Sequence, residues 1–130
     1  MHRSRLCAIA IDVPAEAYAA TVHFWAGALD PTKAAPAVDQ VVVDPEDPYT
    51  QVGSVAGREV FVQAVDDAPR VHLDIETDDV EAEVARLEAL GATRVQQVRT
   101  WWVCRDPSGQ LFCVVRPQTA DFPGDASAWP

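Results

Sequence analysis

A short run of alternating polar and apolar residues, from Val71 to Glu76, contains the side chains best suited to chemistry. Residues two apart in a β-strand share a face, so His72, Asp74 and Glu76 are expected on one side and the apolar residues on the other, toward a helix. An imidazole beside a carboxylate is able to transfer a proton or to hydrogen-bond a ligand. Two alternatives follow for this strand: its polar side lines a pocket, or it faces solvent and His72 is a surface residue.

Gln63, Cys113 and two adjacent tryptophans extend the set of candidate ligand contacts. Gln63 shares a face with apolar neighbours in a β-rich segment, so its amide needs either a ligand or a structural hydrogen bond. Cys113 lies in an apolar row, where it is either a buried small hydrophobe or a reactive, metal-binding thiol. Trp101 and Trp102 must point to opposite sides of a strand. We place Trp102 in the ligand-binding set, with two structural tryptophans as the alternative.

The first half of the chain has the pattern of one helix among several strands. The apolar run 6–11 predicts a strand buried on both faces. The helical spacing of apolar residues that follows predicts a helix over 14–28, which Asp30 and Pro31 end. Segments rich in β-forming residues predict three further strands, over 38–44, 50–55 and 58–65.

The same order of elements restarts at residue 71. A strand over 71–76 precedes a helix over 79–90, which Asp78 and Glu81 are expected to cap and Gly91 to end. The pattern then predicts three more strands, over 93–98, 100–105 and 110–116.

Two successive β-α-β-β-β units, over 5–65 and 71–116, are therefore expected within a single domain of residues 1–130. The tail, 117–130, has no periodicity and is predicted to be irregular. Phe122 and Trp129 would anchor it to its own domain or to a neighbouring subunit; a frayed terminus is the alternative.

Composition narrows the classes of partner. The 130 residues include 20 acidic and 10 basic ones, for a net charge of -10. A nucleic-acid surface needs clustered Lys and Arg, and an acidic protein is repelled by anionic membranes, so we expect neither partner. Three cysteines with no C-x-x-C pair fit a reducing cytoplasm better than a disulfide scaffold. Patterns for phosphate loops, nucleophile elbows and zinc-protease helices are missing from the sequence.

Several motifs in this order resemble the vicinal oxygen chelate superfamily, which includes glyoxalase I, extradiol dioxygenases, epimerases and the bleomycin and fosfomycin resistance proteins. The nearest resemblance is to its bacterial glyoxalase-like domain branch, over about residues 5–116. The motifs are Phe24-Trp25, the strand end Phe61-Val62-Gln63, His72-Leu73-Asp74-Ile75, the helix DDVEAEVARLEALGA, and Asp106-Pro107-Ser108-Gly109. The resemblance implies an α+β fold in which two β-α-β-β-β units form a curled mixed sheet with a shared cleft.

In metal-dependent members of that superfamily, the resemblance implies ligands on the first, fourth, fifth and last strands. Here these positions fall near Leu6 and on Gln63, His72 and Cys113. An amide, an imidazole and a thiol suit Fe, Ni, Mn or Mg poorly, and a zinc site from His72 and Cys113 would need a further ligand. We therefore expect no tightly held cofactor, with a divalent metal on His72 and Cys113 as the alternative.

The resemblance then implies a homodimer that binds a small molecule, and the cysteines favour a cytoplasmic location. Our preferred hypothesis is a protein that sequesters an aromatic or cationic compound, such as an antibiotic, through Gln63, His72, Asp74, Trp102 and Cys113. The alternative is a lyase, isomerase or dioxygenase-like enzyme that uses His72 in a modified metal or acid-base site. A third reading is a degenerate pocket whose surface serves protein contacts.

Overall fold

The computed structural model describes residues 1–30, 32 and 35–130. Pro31, predicted to help end the first helix, lies outside them. The chain divides into two compact units. The first unit is residues 8–71, and the second unit is residues 1–7 together with 72–130.

The described residues form eight strands and two helices, an α+β architecture with parallel and antiparallel pairs. The elements are β1 (His2–Pro14), α1 (Ala15–Leu29), a 3₁₀ turn (Val38–Gln40), β2 (Tyr49–Val55), β3 (Arg58–Val65), β4 (Arg70–Thr77), α2 (Val80–Ala89), β5 (Thr93–Val98), β6 (Trp101–Arg105), β7 (Leu111–Val115) and β8 (Ser127–Trp129).

In the first unit, β3 lies between two partners. It pairs in parallel with β1, from Ala8 opposite Glu59 to Pro14 opposite Val65, and antiparallel with β2. Helix α1 buries Tyr18 and Val22 against this three-stranded sheet. The remaining core residues are Val13, Val52, Val60 and Val62.

The second unit repeats that plan in β4 to β7 and α2, which is one strand more than β1 to β3 and α1. Its strands run in the order β1, β4, β7, β6, β5, and β4 pairs in parallel with β7. Helix α2 packs on β5, β6 and β7, where Val84, Cys104 and Val114 are the buried core. In both units, therefore, the strand that precedes the helix pairs in parallel with the last strand of its repeat.

The strand predicted over 38–44 is wrong. Val38–Gln40 is a 3₁₀ turn, and the only pairing nearby is an isolated bridge between Asp44 and Asp47. Val41 and Val43 still pack on the core beside α1, so the valines satisfy burial without joining the sheet. Prolines at 36, 45 and 48 bracket the run, and proline cannot donate to a strand ladder. The first repeat is consequently β-α-β-β.

The end of the chain is more ordered than predicted. β8 pairs antiparallel with β1, His2 opposite Trp129, so the expectation of a wholly irregular tail is wrong for its last residues. Trp129 Nε1 donates to Ser4 Oγ at 2.8 Å, and the Arg86 guanidinium lies 3.8 Å from the ring centroid. Trp129 thus anchors the terminus to its own unit.

The start of α2 also differs in detail from the prediction. Asp79, not Asp78, is the N-cap, and its side chain accepts from the Ala82 N–H at 3.0 Å. The Asp78 carboxylate instead accepts from the Arg3 N–H at 2.8 Å. Asp78 and Asp79 have the same propensity to cap a helix, so only a distant contact such as that of Asp78 decides which of them is the N-cap. The sequence does not show that contact. No helix in the described part of the chain is long and apolar enough to cross a membrane.

Glu83 is the buried charge that joins α2 to the start of β1. Its side chain is fully buried and accepts from Ser4 Oγ at 2.8 Å, from His2 Nε2 at 2.6 Å and from Arg86 twice. Burial alone would raise the pKa of Glu83, but the hydrogen bonds from Arg86, His2 and Ser4 outweigh it and hold that pKa below its usual value. This explains why β1 begins at His2, four residues before the apolar run.

We predict that Glu83→Gln lowers the free energy of unfolding at pH 7 by about 2 kcal/mol or more, because partners of a buried carboxylate lose their charge-assisted bonds. The pKa of Glu83 is lower in the folded protein than in the unfolded protein, so its charge stabilises the fold fully at pH values above the unfolded-state pKa. That stabilisation is lost as the pH falls through the folded-state pKa. The difference between the two proteins should therefore narrow below about pH 4. Urea unfolding from pH 7 to pH 3 measures it. Glu16→Gln, an exposed acid of α1, is the matched control; a difference independent of pH would contradict the prediction.

Candidate functional site

The polar side of β4 brings three potential ligand atoms together with β7. Asp74 lies directly opposite Cys113 in the parallel pair of β4 and β7. His72 Nε2 lies 3.1 Å from Asp74 Oδ1, and one ligand atom from each of His72, Asp74 and Cys113 lies within 4.8 Å of the others. We call the side of the sheet that bears these residues the triad face.

The triad face is sheltered from water. His72 is 8% exposed, and Asp74 Oδ1 is fully enclosed, with His72 as its near neighbour and no aligned hydrogen bond among the described residues. Leu73, on the opposite side of β4, is 43% exposed. The alternative in which His72 is a surface residue is wrong, and the apolar side of β4 is only partly covered.

Trp101 and Trp102 do point to opposite sides of β6, but Trp102 lies on the side away from the triad face. Val103 is opposite Cys113, so Val103 and Trp101 share the triad face. Trp102 is opposite Val114, packs on the core under α2 and stacks with the Arg94 guanidinium at 4.8 Å. The placement of Trp102 in the ligand-binding set is therefore corrected: Trp101 is the tryptophan on that face.

The other two cysteines have different surroundings. Cys7 is buried, and its Sγ donates to the Asp74 carbonyl at 3.5 Å, a contact the sequence reasoning missed. Cys104 lies in the core under α2, where burial, and then the charge of Cys113, raises its pKa to about 11. At neutral pH Cys104 is a thiol, so it is a poor nucleophile and a poor metal ligand.

Gln63 belongs to the first unit. It lies on β3, opposite Asp12 of β1 on one side and Tyr49 of β2 on the other, so the three form a polar row. Asp12 is 1% exposed, and its Oδ2 accepts from Arg70 Nε at 3.1 Å. Sequence reasoning missed Asp12, because an acid at the end of an apolar run resembles the end of a strand.

Tyr49 closes this row with an aromatic contact. Its ring lies 5.2 Å from that of Phe61. Burial first, and then the negative charges of Asp47 and Glu59, raise the pKa of Tyr49, so it stays a neutral phenol at physiological pH. Gln63 therefore lies between a buried carboxylate and a neutral phenol, and its placement is compatible with either ligand contact or a structural bond.

The repeat of strand, helix and paired last strand defines a small α+β protein, and its second unit carries an imidazole, a carboxylate and a thiol on one face. The family comparison agrees with this class: the family described as Glyoxalase-like domain matches residues 8–115. The chain belongs to this family, which is consistent with the vicinal oxygen chelate superfamily. A search of curated proteins gives no significant match.

The two tryptophans give a matched test of the two faces. Trp102→Ala is expected to lower the free energy of unfolding by about 2 kcal/mol or more, because it opens a cavity under α2. Trp101→Ala is expected to cost less than half as much, because Trp101 is not among the residues that pack on the core under α2. Urea unfolding of both variants measures the difference. Equal losses would contradict the assignment of faces.

Proposed function

We propose that the protein binds a small organic molecule at the triad face, with a divalent cation of the zinc type held by His72, Asp74 and Cys113. The observation that carries the proposal is the convergence of the three ligand atoms within 4.8 Å. The expectation of no tightly held metal counted the amide of Gln63, the imidazole of His72 and the thiol of Cys113. Asp74 supplies the carboxylate missing from that count.

The donor set supports a zinc-type ion. Imidazole nitrogen, carboxylate oxygen and thiolate sulfur are all zinc ligands, whereas magnesium and calcium prefer oxygen alone. Two ligand atoms on one tetrahedral zinc lie roughly 3.3 Å apart, close to the 3.1 Å between His72 Nε2 and Asp74 Oδ1. Three protein ligands leave one coordination position for water or for an oxygen of the bound molecule.

Such an ion would supply Lewis acidity toward an oxygen of the ligand. The chain's own residues shape what binds beside it. Trp101 and Val103 give the triad face an aromatic and apolar side, which favours a ligand with a flat apolar part. Asp74 and His72 are placed to hold or move a proton of the ligand. A lyase, isomerase or dioxygenase-like reaction is the enzymatic form of this proposal.

A second candidate is sequestration without a metal. It is favoured by the 3.1 Å contact between His72 Nε2 and Asp74 Oδ1, which holds the two side chains together without a metal. In this form an aromatic or cationic compound, such as an antibiotic, would lie against Trp101, and the net charge of -10 would favour a cation. For both candidates we propose a homodimer, as the family resemblance implies, and a cytoplasmic location, which three cysteines without a C-x-x-C pair favour.

Cobalt binding tests the first candidate. Co²⁺ titrated into the metal-free protein under reducing conditions is expected to give the intense visible and sulfur-to-cobalt absorption of a low-coordinate thiolate site. Cys113→Ser should abolish the sulfur band, and His72→Ala and Asp74→Asn should each weaken Co²⁺ binding by at least about 100-fold, since even indirect supporting residues are worth 10–100-fold.

Cys104→Ala is the matched control, because Cys104 lies on the other face of the same sheet. It should leave the cobalt spectrum unchanged. Weak binding to the wild-type protein with no sulfur band would exclude the metal site, as would a spectrum that survives in Cys113→Ser.

Tryptophan fluorescence tests the second candidate. In a panel of aromatic and cationic compounds, a true ligand should quench fluorescence and raise the melting temperature of the metal-free protein without being consumed. Trp101→Phe should remove most of that quenching, whereas Trp102→Phe should retain it. Failure of the whole panel to shift the melting temperature, or quenching that depends only on Trp102, would contradict sequestration at the triad face.

A further inference from the structure

Residues 116–126 connect β7 to β8, and we call them the crossing segment. The segment leaves β7 after Val115, which is paired with Glu76 of β4. The Gln118 and Thr119 N–H groups donate to Glu76 Oε2 at 2.7 and 3.0 Å, and Thr119 Oγ1 donates to the other oxygen. The segment therefore lies on β4 at the Glu76 carboxylate.

Arg5 of β1 holds the next part of the crossing segment. Its guanidinium donates to Thr119 Oγ1 at 2.6 Å, to Asp121 Oδ1 at 2.7 Å and to Asp125 Oδ1 at 2.7 Å, while its Nε donates to Glu76 at 2.7 Å. β8 then pairs with residues 2–4 of β1. The chain thus passes from β7 over β4 to β1.

The side of the sheet that it crosses follows from strand alternation. Glu76 is two residues after Asp74 on β4, and both are opposite β7 residues of one face, Val115 and Cys113. Two residues of a strand span about 6.6 Å. The crossing segment therefore covers the triad face one side-chain position beyond Asp74.

The buried charges of Glu76 and Arg5 determine where the crossing segment lies. Glu76 is fully buried and Arg5 is 8% exposed. A buried ion pair adds little net stability over an apolar pair, whereas misplacing either partner leaves a buried charge uncompensated. The cluster consequently fixes where the segment crosses the sheet.

We infer that the crossing segment is a wall of the ligand site and that Arg5 is the positioning residue that holds it. The inference rests on the proposed function, because it limits the ligand of the triad face. A bound molecule is stopped along β4 at Glu76 and must extend from Asp74 toward Trp101 or past His72. The segment is then a determinant of ligand length.

The test measures access to Cys113 without any ligand or metal, so its outcome is independent of cobalt binding. Cys113 is partly exposed, and Cys104 in the core of the same unit is an internal reference for unfolding. Alkylation by N-ethylmaleimide and by the bulkier N-(1-pyrenyl)maleimide is followed at each cysteine by peptide mass spectrometry. The wild-type protein should react at Cys113 much faster with the small reagent.

The variant Asp121→Asn/Asp125→Asn removes two anionic partners of Arg5 and leaves its pair with Glu76. Local opening of the segment should let the bulkier reagent reach Cys113, so the ratio of the two alkylation rates at Cys113 should fall by at least about threefold. The alkylation rates at Cys104 should stay unchanged. Thr119→Val, which removes one hydroxyl bridge between Glu76 and Arg5, should act in the same direction.

Asp39→Asn/Asp66→Asn makes the same change of charge at exposed positions of the first unit and should behave as wild type. An unchanged preference at Cys113 in both segment variants would overturn the inference. Parallel acceleration at Cys104 and Cys113 would also overturn it, because the segment would then stabilise the whole unit without walling the site.

Discussion

The Glu76 carboxylate is the constraint on which the rest of the second unit depends. It is fully buried, and its bonds come from Arg5 of β1 and from Gln118 and Thr119 after β7. Burial would raise its pKa, but the bonds from Thr119, Gln118 and Arg5 keep that pKa below its usual value, so the charge is retained. An enclosed charge tolerates little displacement of its partners, and the start of β1, the end of β4 and the residues after β7 are therefore fixed together.

This constraint also explains the unusual burial of β4. A strand in an α+β protein normally buries its apolar side under the helix. Here Leu73, on the apolar side, is 43% exposed, whereas His72 and Glu76 on the other side are buried. The polar side is shielded by charged and hydrogen-bonding neighbours. A binding site requires polar groups at a place from which bulk water is excluded.

Repeats and periodicities allowed much of this fold to be predicted, because helix α2, the strands from β4 to β7 and the shared side of His72 and Asp74 depend on local spacing. The errors came from interactions between distant residues. β1 begins at His2 because Glu83 pairs with it, and β8 forms because Trp129 meets Ser4. The register of β6 against β7 decides that Trp101 shares the face of Cys113, and no local pattern encodes a register between strands.

The two proposed functions derive from one physical requirement at Asp74. An enclosed carboxylate oxygen needs a positive partner, because a charge away from water is costly unless it is compensated. His72 Nε2, at 3.1 Å, provides that partner when its imidazole is protonated. A metal ion that Cys113 also binds, or a cationic ligand against Trp101, would be another positive partner for the Asp74 carboxylate. Each would replace the imidazole in that role. The same carboxylate therefore accounts for the preference for cations in both candidates, and the soft sulfur of Cys113 is the donor that favours a zinc-type ion over an organic cation.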